Sequence, residues 1–473
     1  MPGRSGRQFD PESENDTNLS GKVHRFLMIS TFFNAIYSYF AGLYNHLSQW
    51  AFPGAKESRS ENIKEFINNL GIVFIYRIIG AVFSTVIAIL AAKFLGPARY
   101  GQIGLVNNIS TILLLPVLFG INSSMYKYLP DCDQSENDRL KAVALSGNTV
   151  LIIVFGLFYF NIGHWVEHSF KIPVKIWHLG IIATIVLDLY TLSESFIRGQ
   201  KKFFLLARLK LVCNTTFFLL FLFFQHYFKM MDVQCYFYIF FGSEVLFFIL
   251  ALYKSDFHSF PLSGPVFKKI YAYSALNMFN SMLLILINSS DLFIINYFFP
   301  GREVGIYSIY QGFVKNLFSI MFYEVFAVVF LPTIAKLNKK QLYITIRKLI
   351  PALWLMVVVA TAAFTVLIVS LSGKEYALNM GYVLLVSSGI GFYTIFHIYN
   401  SIFSMEGTRG AKLCLIPLAI TLPISLVIQY KFTEYWGITG TMIAVTISNL
   451  FLVMIFIATI RRLYHKFNQN HPR

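Results

Sequence analysis

The sequence predicts an all-α polytopic membrane protein, with about twelve transmembrane helices in two six-helix repeats around a central cavity. Three observations predict it. Hydrophobic residues fill 56% of 473 positions, charged residues only 13%, and mean hydropathy is +0.60. A soluble domain has about a quarter of its residues charged. Apolar runs of roughly 20 residues, long enough to cross a bilayer as helices, recur along the whole chain. Short motifs between those runs return at a nearly constant spacing.

The chain divides into an N-terminal extension (1–66), a first six-helix bundle (67–254), a linker (255–269), a second bundle (270–462) and a tail (463–473). Residues Met1 to Lys22 are polar. From Phe26 to Trp50 no side chain is acidic or basic, which would suit a span. However, Ser30, Asn34, Ser38, Asn45 and Ser48 share one helical face, the pattern of a helix lying in the interface. Twelve spans follow: Ile67–Leu95, Ile103–Leu129, Val143–Val166, Val174–Ile197, Phe204–Phe228, Val233–Tyr253, Ile270–Phe299, Val304–Leu331, Leu342–Leu371, Tyr376–Met405, Leu413–Tyr430 and Ile438–Ile460.

The net charge of +16 would point to nucleic acid in a soluble protein. Here it belongs to the loops of one membrane face, and no nucleic-acid partner is expected. Loops on one side hold 8 Lys and Arg, those on the other 29, and Arg77 and Lys315 lie within spans. Positive charge collects on the cytoplasmic side. Both termini are therefore expected in the cytoplasm of a cell with this protein in its cytoplasmic membrane. That requires an even number of spans and keeps Phe26–Trp50 interfacial. The first apolar run starts after Arg25 without a small-residue cleavage site, so no signal peptide is expected. Cys132, Cys213, Cys235 and Cys414 are scattered, which predicts neither a disulfide framework nor a metal site, and no cofactor is expected.

The repeat rests on three anchors. Phe94-Leu95-Gly96-Pro97-Ala98-Arg99-Tyr100-Gly101 matches Phe298-Phe299-Pro300-Gly301-Arg302-Glu303-Val304-Gly305 at an offset of 204. Tyr128-Leu129-Pro130 matches Phe330-Leu331-Pro332 at 202, and Arg198-Gly199-Gln200-Lys201 matches Glu406-Gly407-Thr408-Arg409 at 208. Two such halves enclose a cavity and rock about it.

Ionisable residues in spans are functional candidates because the membrane makes them costly. Arg77 shares its face with Ala81, Ser84, Ala88 and Ala91, so it is either an interhelical ion-pair partner or a cavity cation. In the seventh span Asn277, Asn280, Ser281, Asn288 and Asp291 fall within roughly 100° of arc, a face that belongs to the cavity or the joint between halves. Asp291 is either a proton or cation site or the fixed partner of a base. Lys315 and Glu324 project on opposite faces of the eighth span, with Gln311 on the Lys315 face. Asp188 and Glu244 are deep acids, Glu194 is placed to snorkel from a basic end, and His397 reads as a hydrogen-bonded core residue. The repeat does not carry these charges. At offset 204 Arg77 faces Ser281, and Asp291, Lys315 and Glu324 face Ile87, Thr111 and Gly120.

The stretches KFLGPARYGQIGLVNNISTILLLPVLFGINSSMYKYLP, NSSDLFIINYFFPGREVGIYSIYQGFVKNLFSIMFYEVFAVVFLPTIAKL and IYNSIFSMEGTRGAKL resemble the oligosaccharide flippases. These are the polysaccharide transporters of the multidrug/oligosaccharidyl-lipid/polysaccharide exporter superfamily. The likeness covers about Ile67 to Arg462. It implies a non-enzymatic carrier of a polyprenyl-diphosphate-linked oligosaccharide, embedded in membrane lipid, with a polysaccharide polymerase or other assembly proteins as further partners. Under that implication Arg77 and Lys315 would meet the diphosphate, and Asn277, Asn280, Asn288 and Gln311 the sugar. Asp291, Glu324, Asp188 and Glu244 would be ion-coupling candidates. The alternatives are a cation-coupled exporter of small compounds and an integral-membrane polysaccharide-assembly enzyme. The first would need an acid-dominated cavity. The second would need a sizeable loop, and the longest outer one, near His164 to Lys175, is short. No phosphate-cradling glycine motif for ATP is present.

Overall fold

A computed structural model describes residues 60–228, 232–257, 259–315, 339–404 and 407–470, with side chains from residue 79 onward. By contacts the chain divides into units 1–72 and 73–473, and the description below concerns the second. The segment Phe26–Trp50, predicted to lie in the interface, the side chain of Arg77, and Glu324 all lie outside the described residues.

Among the described residues there are twelve α-helices and no strand. They are α1 (Ser60–Leu118), α2 (Ile121–Tyr128), α3 (Gln134–Asn161), α4 (Gly163–Phe170), α5 (Val174–Gly199), α6 (Phe203–Phe223), α7 (Val233–Tyr253), α8 (Gly264–Phe298), α9 (Arg302–Tyr307), α10 (Lys339–Leu371), α11 (Met380–Ser404) and α12 (Gly407–Asn470). Nine stretches among the described residues are long and apolar enough to cross a membrane. Two of them are bent pairs that the sequence reads as separate spans, α1 breaking at Gly96 and α12 at Gly437. The eighth predicted span is described only as far as Lys315. The predicted outer loop at His164 is largely helical, as α4. The exposed face of α3 carries Val150, Ile153, Val154, Leu157, Phe158 and Phe160, an apolar surface suited to lipid. This is a multi-pass membrane protein.

The breaks have a common chemistry. Gly96 (φ 71°, ψ 170°), Gly301 (φ 90°, ψ −112°) and Gly437 (φ 57°, ψ −139°) hold backbone conformations that side chains oppose. Pro97 follows Gly96 at the first turn of the next helical segment, where a missing N–H costs nothing. Two other helix starts, those of α3 and α7, carry side-chain caps. Asp133 accepts from the Glu136 N–H at 2.7 Å and Asp232 from the Cys235 N–H at 2.6 Å.

The two repeats meet at the positions the repeat equates. A Cβ on Gly101 would stand 2.8 Å from the Gly305 nitrogen and 2.9 Å from the Gly301 carbonyl oxygen. One on Gly305 would run into the Pro97 carbonyl, and one on Gly104 into Ser308 Oγ. Offset 204 relates Gly101 to Gly305 and Gly104 to Ser308. Small residues here let the backbones touch.

Helix α8 is the seam of the bundle, because α2, α3 and α4 from the first half and α12 from the second all pack on it. Ser124 Oγ donates to the Ile270 carbonyl at 2.9 Å and lies 2.7 Å from Ser274 Oγ. Asn108 Nδ2 donates to the Ser289 carbonyl at 2.6 Å. From the other side Gln429 Nε2 donates to the Ile287 carbonyl at 3.1 Å, while its Oε1 accepts from Ser290 at 2.9 Å. The connection into α8 is also tied down. Lys141 Nζ and Gln200 Nε2 both donate to the Ser255 carbonyl, Gln134 Nε2 donates to that of Asp256, and Ser259 Oγ donates to Asp138.

Candidate functional site

The charges of the seam are carried by α8 and the segment after it. Asp291 is buried on α8, with 4% of its surface exposed. The Tyr307 hydroxyl donates to its Oδ2 at 2.6 Å, and the Leu292 N–H to its Oδ1 at 2.7 Å. Lys315 Nζ donates to the Asn288 carbonyl at 2.6 Å and lies 5.6 Å from the centroid of the Tyr393 ring. Lys315 is also within electrostatic reach of Asp291 and of His397. Two protonic donors and a nearby cation make Asp291 a satisfied carboxylate.

Local helix geometry places these groups. After α9 the chain widens into a π-turn, Ser308–Phe313, which contains the buried Gln311. In a plain α-helix Tyr307 and Lys315 would stand about 80° apart. The extra residue of a π-turn brings them within about 20°, so both face α8. Such turns recur at functional sites.

The predicted polar face of α8 divides. Asn288 is buried beside Asp291, its Nδ2 donating to the Leu284 carbonyl at 2.9 Å. Asn277 and Asn280 are half-buried two to three turns earlier, and Ser281 is exposed. Asn277 Nδ2 donates to the Tyr273 carbonyl at 3.1 Å, whereas Asn280 Oδ1 is buried without a partner. The structure therefore brings together Asn288, Asp291 and Lys315, with Gln311 on the same segment.

The other candidate acids sit elsewhere. Asp188 lies on α5 facing Asn148 of α3. Glu244 on α7 lies in the electrostatic field of Lys210, and its Oε2 is buried without a hydrogen-bond partner. Glu194 does not snorkel. It is 7% exposed, and Lys210 Nζ stands 2.7 Å from its Oε1. Both side chains face the same interhelical space, and the ion pair outcompetes a reach toward water. His397 packs edge-on to Tyr393, with ring centroids 4.4 Å apart.

Sequence reasoning passes over Tyr307, Gln429, Asn148 and Tyr271. Only Gln429 leaves a signal. Together with Ser425 and Thr433 it forms an i, i+4 row of polar side chains in an apolar run, and all three are buried.

A multi-pass helical bundle that buries Asn288 and Asp291 on a seam helix, sets Lys315 against it and buries further acids on α5 and α7 is built as a membrane transporter. The chain belongs to the polysaccharide biosynthesis protein family, whose model matches residues 66–338. Its fold is similar to that of a multidrug resistance MATE family transporter of the MOP superfamily in an inward-facing conformation. The TM-score is 0.64 and the identity 13%, over 83% of this chain and 98% of that one. It is also similar to the lipid II flippase MurJ in an inward closed conformation, at TM-score 0.57 and 16% identity, over 82% and 86%. A Vibrio cholerae MATE transporter gives TM-score 0.56 and 13% identity, over 86% and 98%. At these identities the likeness is one of fold. No curated protein matches the sequence.

Proposed function

We propose that the protein flips a polyprenyl-diphosphate-linked oligosaccharide from the cytoplasmic to the outer leaflet by alternating access. The observation that carries the reading is Lys315, a cation placed by a π-turn against the seam helix, in a chain of the polysaccharide biosynthesis family. A diphosphate needs cations in a dry passage, and an ammonium serves as a point charge for it. Arg77 is the second such cation in this reading, able to fork onto phosphate oxygens. Asn277, Asn280, Asn288 and Gln311 supply amides for sugar hydroxyls, and the unpartnered Asn280 Oδ1 suits that role. The halves rock about the glycine crossing at Gly101 and Gly305. The imbalance of basic residues, 29 against 8, puts both termini in the cytoplasm. The carrier performs no covalent chemistry in this reading.

A second reading, export of small cationic compounds, draws on the buried acids Asp188, Asp291 and Glu244. One experiment separates the two. Deletion of the gene is expected to make a lipid-linked oligosaccharide accumulate on the cytoplasmic face. An unchanged glycolipid pool with altered drug sensitivity would favour the exporter. Arg77→Ala and Lys315→Ala are each expected to slow flipping at equal protein level. Full activity in the double variant would remove both from the passage.

A further inference from the structure

Asp188 of α5 has no exposed surface, and Asn148 of α3 beside it is 1% exposed. The Asn148 amide donates through Nδ2 to Asp188 Oδ2. Three oxygens around this contact are buried without a hydrogen-bond partner: Asp188 Oδ1, Asn148 Oδ1 and the Tyr271 hydroxyl. Tyr271 comes from α8, at the start of the second half. Its hydroxyl sits over Gly147, so close that any Cβ there would collide with it, and it lies within electrostatic reach of Asp188. Its ring stacks on Phe267 at 4.2 Å and tilts against Phe119 at 5.8 Å.

Among the described residues, four charged groups on the surrounding helices are engaged elsewhere or lie in another pair's field: Lys141, Lys210, Glu244 and Arg198. Lys141, two turns before Asn148 on α3, bonds the Ser255 carbonyl. Lys210 of α6 pairs with Glu194, and Glu244 of α7 lies in the field of that pair. Arg198, at the end of α5, faces Tyr126 of α2. From α8, Tyr271 is the titratable group that reaches Asp188. Among the described residues an ionised Asp188 therefore has an amide donor and no cation, a costly state for a buried carboxylate. The acid form needs only an acceptor, and a half-turn of the Asn148 amide presents Oδ1 to it. One side chain thus offers a hydrogen-bond partner in either protonation state.

We propose that Asp188, Asn148 and Tyr271 form a proton-binding site at the seam, loaded when α8 closes on α3 and α5 and emptied when that contact opens to water. The proton enters from water as the carboxylate becomes a carboxylic acid, and returns to water on opening, so the cycle consumes nothing else. The inference rests on the alternating-access reading, and it gives that cycle its coupling ion and the contact on which the ion acts.

The test uses the full-length protein in liposomes and two independent readouts. Infrared difference spectra across a pH titration are expected to show a protonated-carboxyl band that Asp188→Asn removes and that shifts in Asn148→Ala. An imposed pH gradient is expected to change the rate of fluorescent lipid-linked oligosaccharide movement, with Asp188→Asn reducing that response on the order of fivefold or more. Asn148→Ala retains the carboxyl, and is expected to show a weaker version of the same loss if Asp188→Asn does not fold. A wild-type spectrum without a titrating carboxyl at Asp188 would overturn the proposal, as would an undiminished gradient response in Asp188→Asn. A titrating Asp188 in a protein that moves no lipid-linked oligosaccharide would leave the proton site standing and sink the transport reading.

Discussion

Asp291 and Asp188 are both buried carboxylates in the membrane-spanning bundle, and their surroundings are opposite. Asp291 receives a tyrosine hydroxyl on one oxygen and a backbone N–H on the other, with Lys315 nearby. Asp188 receives one amide and leaves its second oxygen unpaired. The first environment holds a charge in place. The second has room to add and remove one. An acid in a span is thus not one kind of object, since its partners decide whether it is a fixture or a carrier. The two aspartates also divide the seam. Asp291 joins α8 to the segment that follows it, while Asp188 and Asn148 lie in the first half, where Tyr271 of α8 sits over Gly147.

The largest expected effect comes from breaking the satisfied site. Asp291→Ala strands Lys315 without its counter-charge and is expected to cost about 3 kcal/mol. Thermal unfolding of the detergent-solubilised protein measures it. The double variant Asp291→Ala with Lys315→Met is expected to recover a good part of the loss, because removing both charges is cheaper than leaving one. Strictly additive losses would show that the two groups do not interact.

Tyr307→Phe removes a single hydroxyl from the same carboxylate. Hydrogen bonds to charged groups contribute about 1.5–3 kcal/mol in water, while interhelical ones in membranes average about 0.6 kcal/mol and reach about 1.7 kcal/mol at most. A loss of about 1.5 kcal/mol is therefore expected in the same unfolding assay. No loss would mean that water replaces the hydroxyl and that Asp291 is less enclosed than its 4% exposure indicates.

Asn108→Ala falls between the two environments. It cuts the bond from α1 to the Ser289 carbonyl, on the seam two residues before Asp291 but bonded to neither carboxylate. An average interhelical bond in a membrane bundle contributes about 0.6 kcal/mol, and a change of that order is expected.

Much of this was readable in the sequence, and the reason is contrast. Asp291, Lys315 and Asp188 stand out because any charge in an apolar run does. The Gly-Pro break after Leu95 and its mate after Phe299 stand out because such backbones require those residues. What they do in space was less legible. The glycine crossing follows from the repeat only once helices are known to meet on the axis that relates them. The separation of Asp291 from Asp188 depends on Tyr307 and Tyr271, two of 27 tyrosines in a chain where tyrosine is as much lipid-facing surface as hydrogen-bond donor. The π-turn that aligns Tyr307 with Lys315 has no sequence mark, since it is a register shift forced by packing. Asn148 lies five residues into its predicted span, where an amide reads as a helix-end residue rather than as the partner of an acid forty residues on.

Tyr271→Phe is the mirror of Tyr307→Phe and the sharpest use of the comparison. The same atom is removed, from a buried hydroxyl that has no hydrogen-bond partner. Nothing is broken by its loss, and one unsatisfied polar group disappears, so stability is expected to stay within about 0.5 kcal/mol of wild type. Its ring contacts with Phe267 and Phe119 remain. Function should separate from stability at this position. If the hydroxyl faces Asp188 only when the seam is closed, the Phe variant unfolds like wild type yet responds less to a pH gradient. A destabilisation as large as that of Tyr307→Phe would show that the Tyr271 hydroxyl has a standing partner, and the two halves of the seam would then be alike rather than opposed.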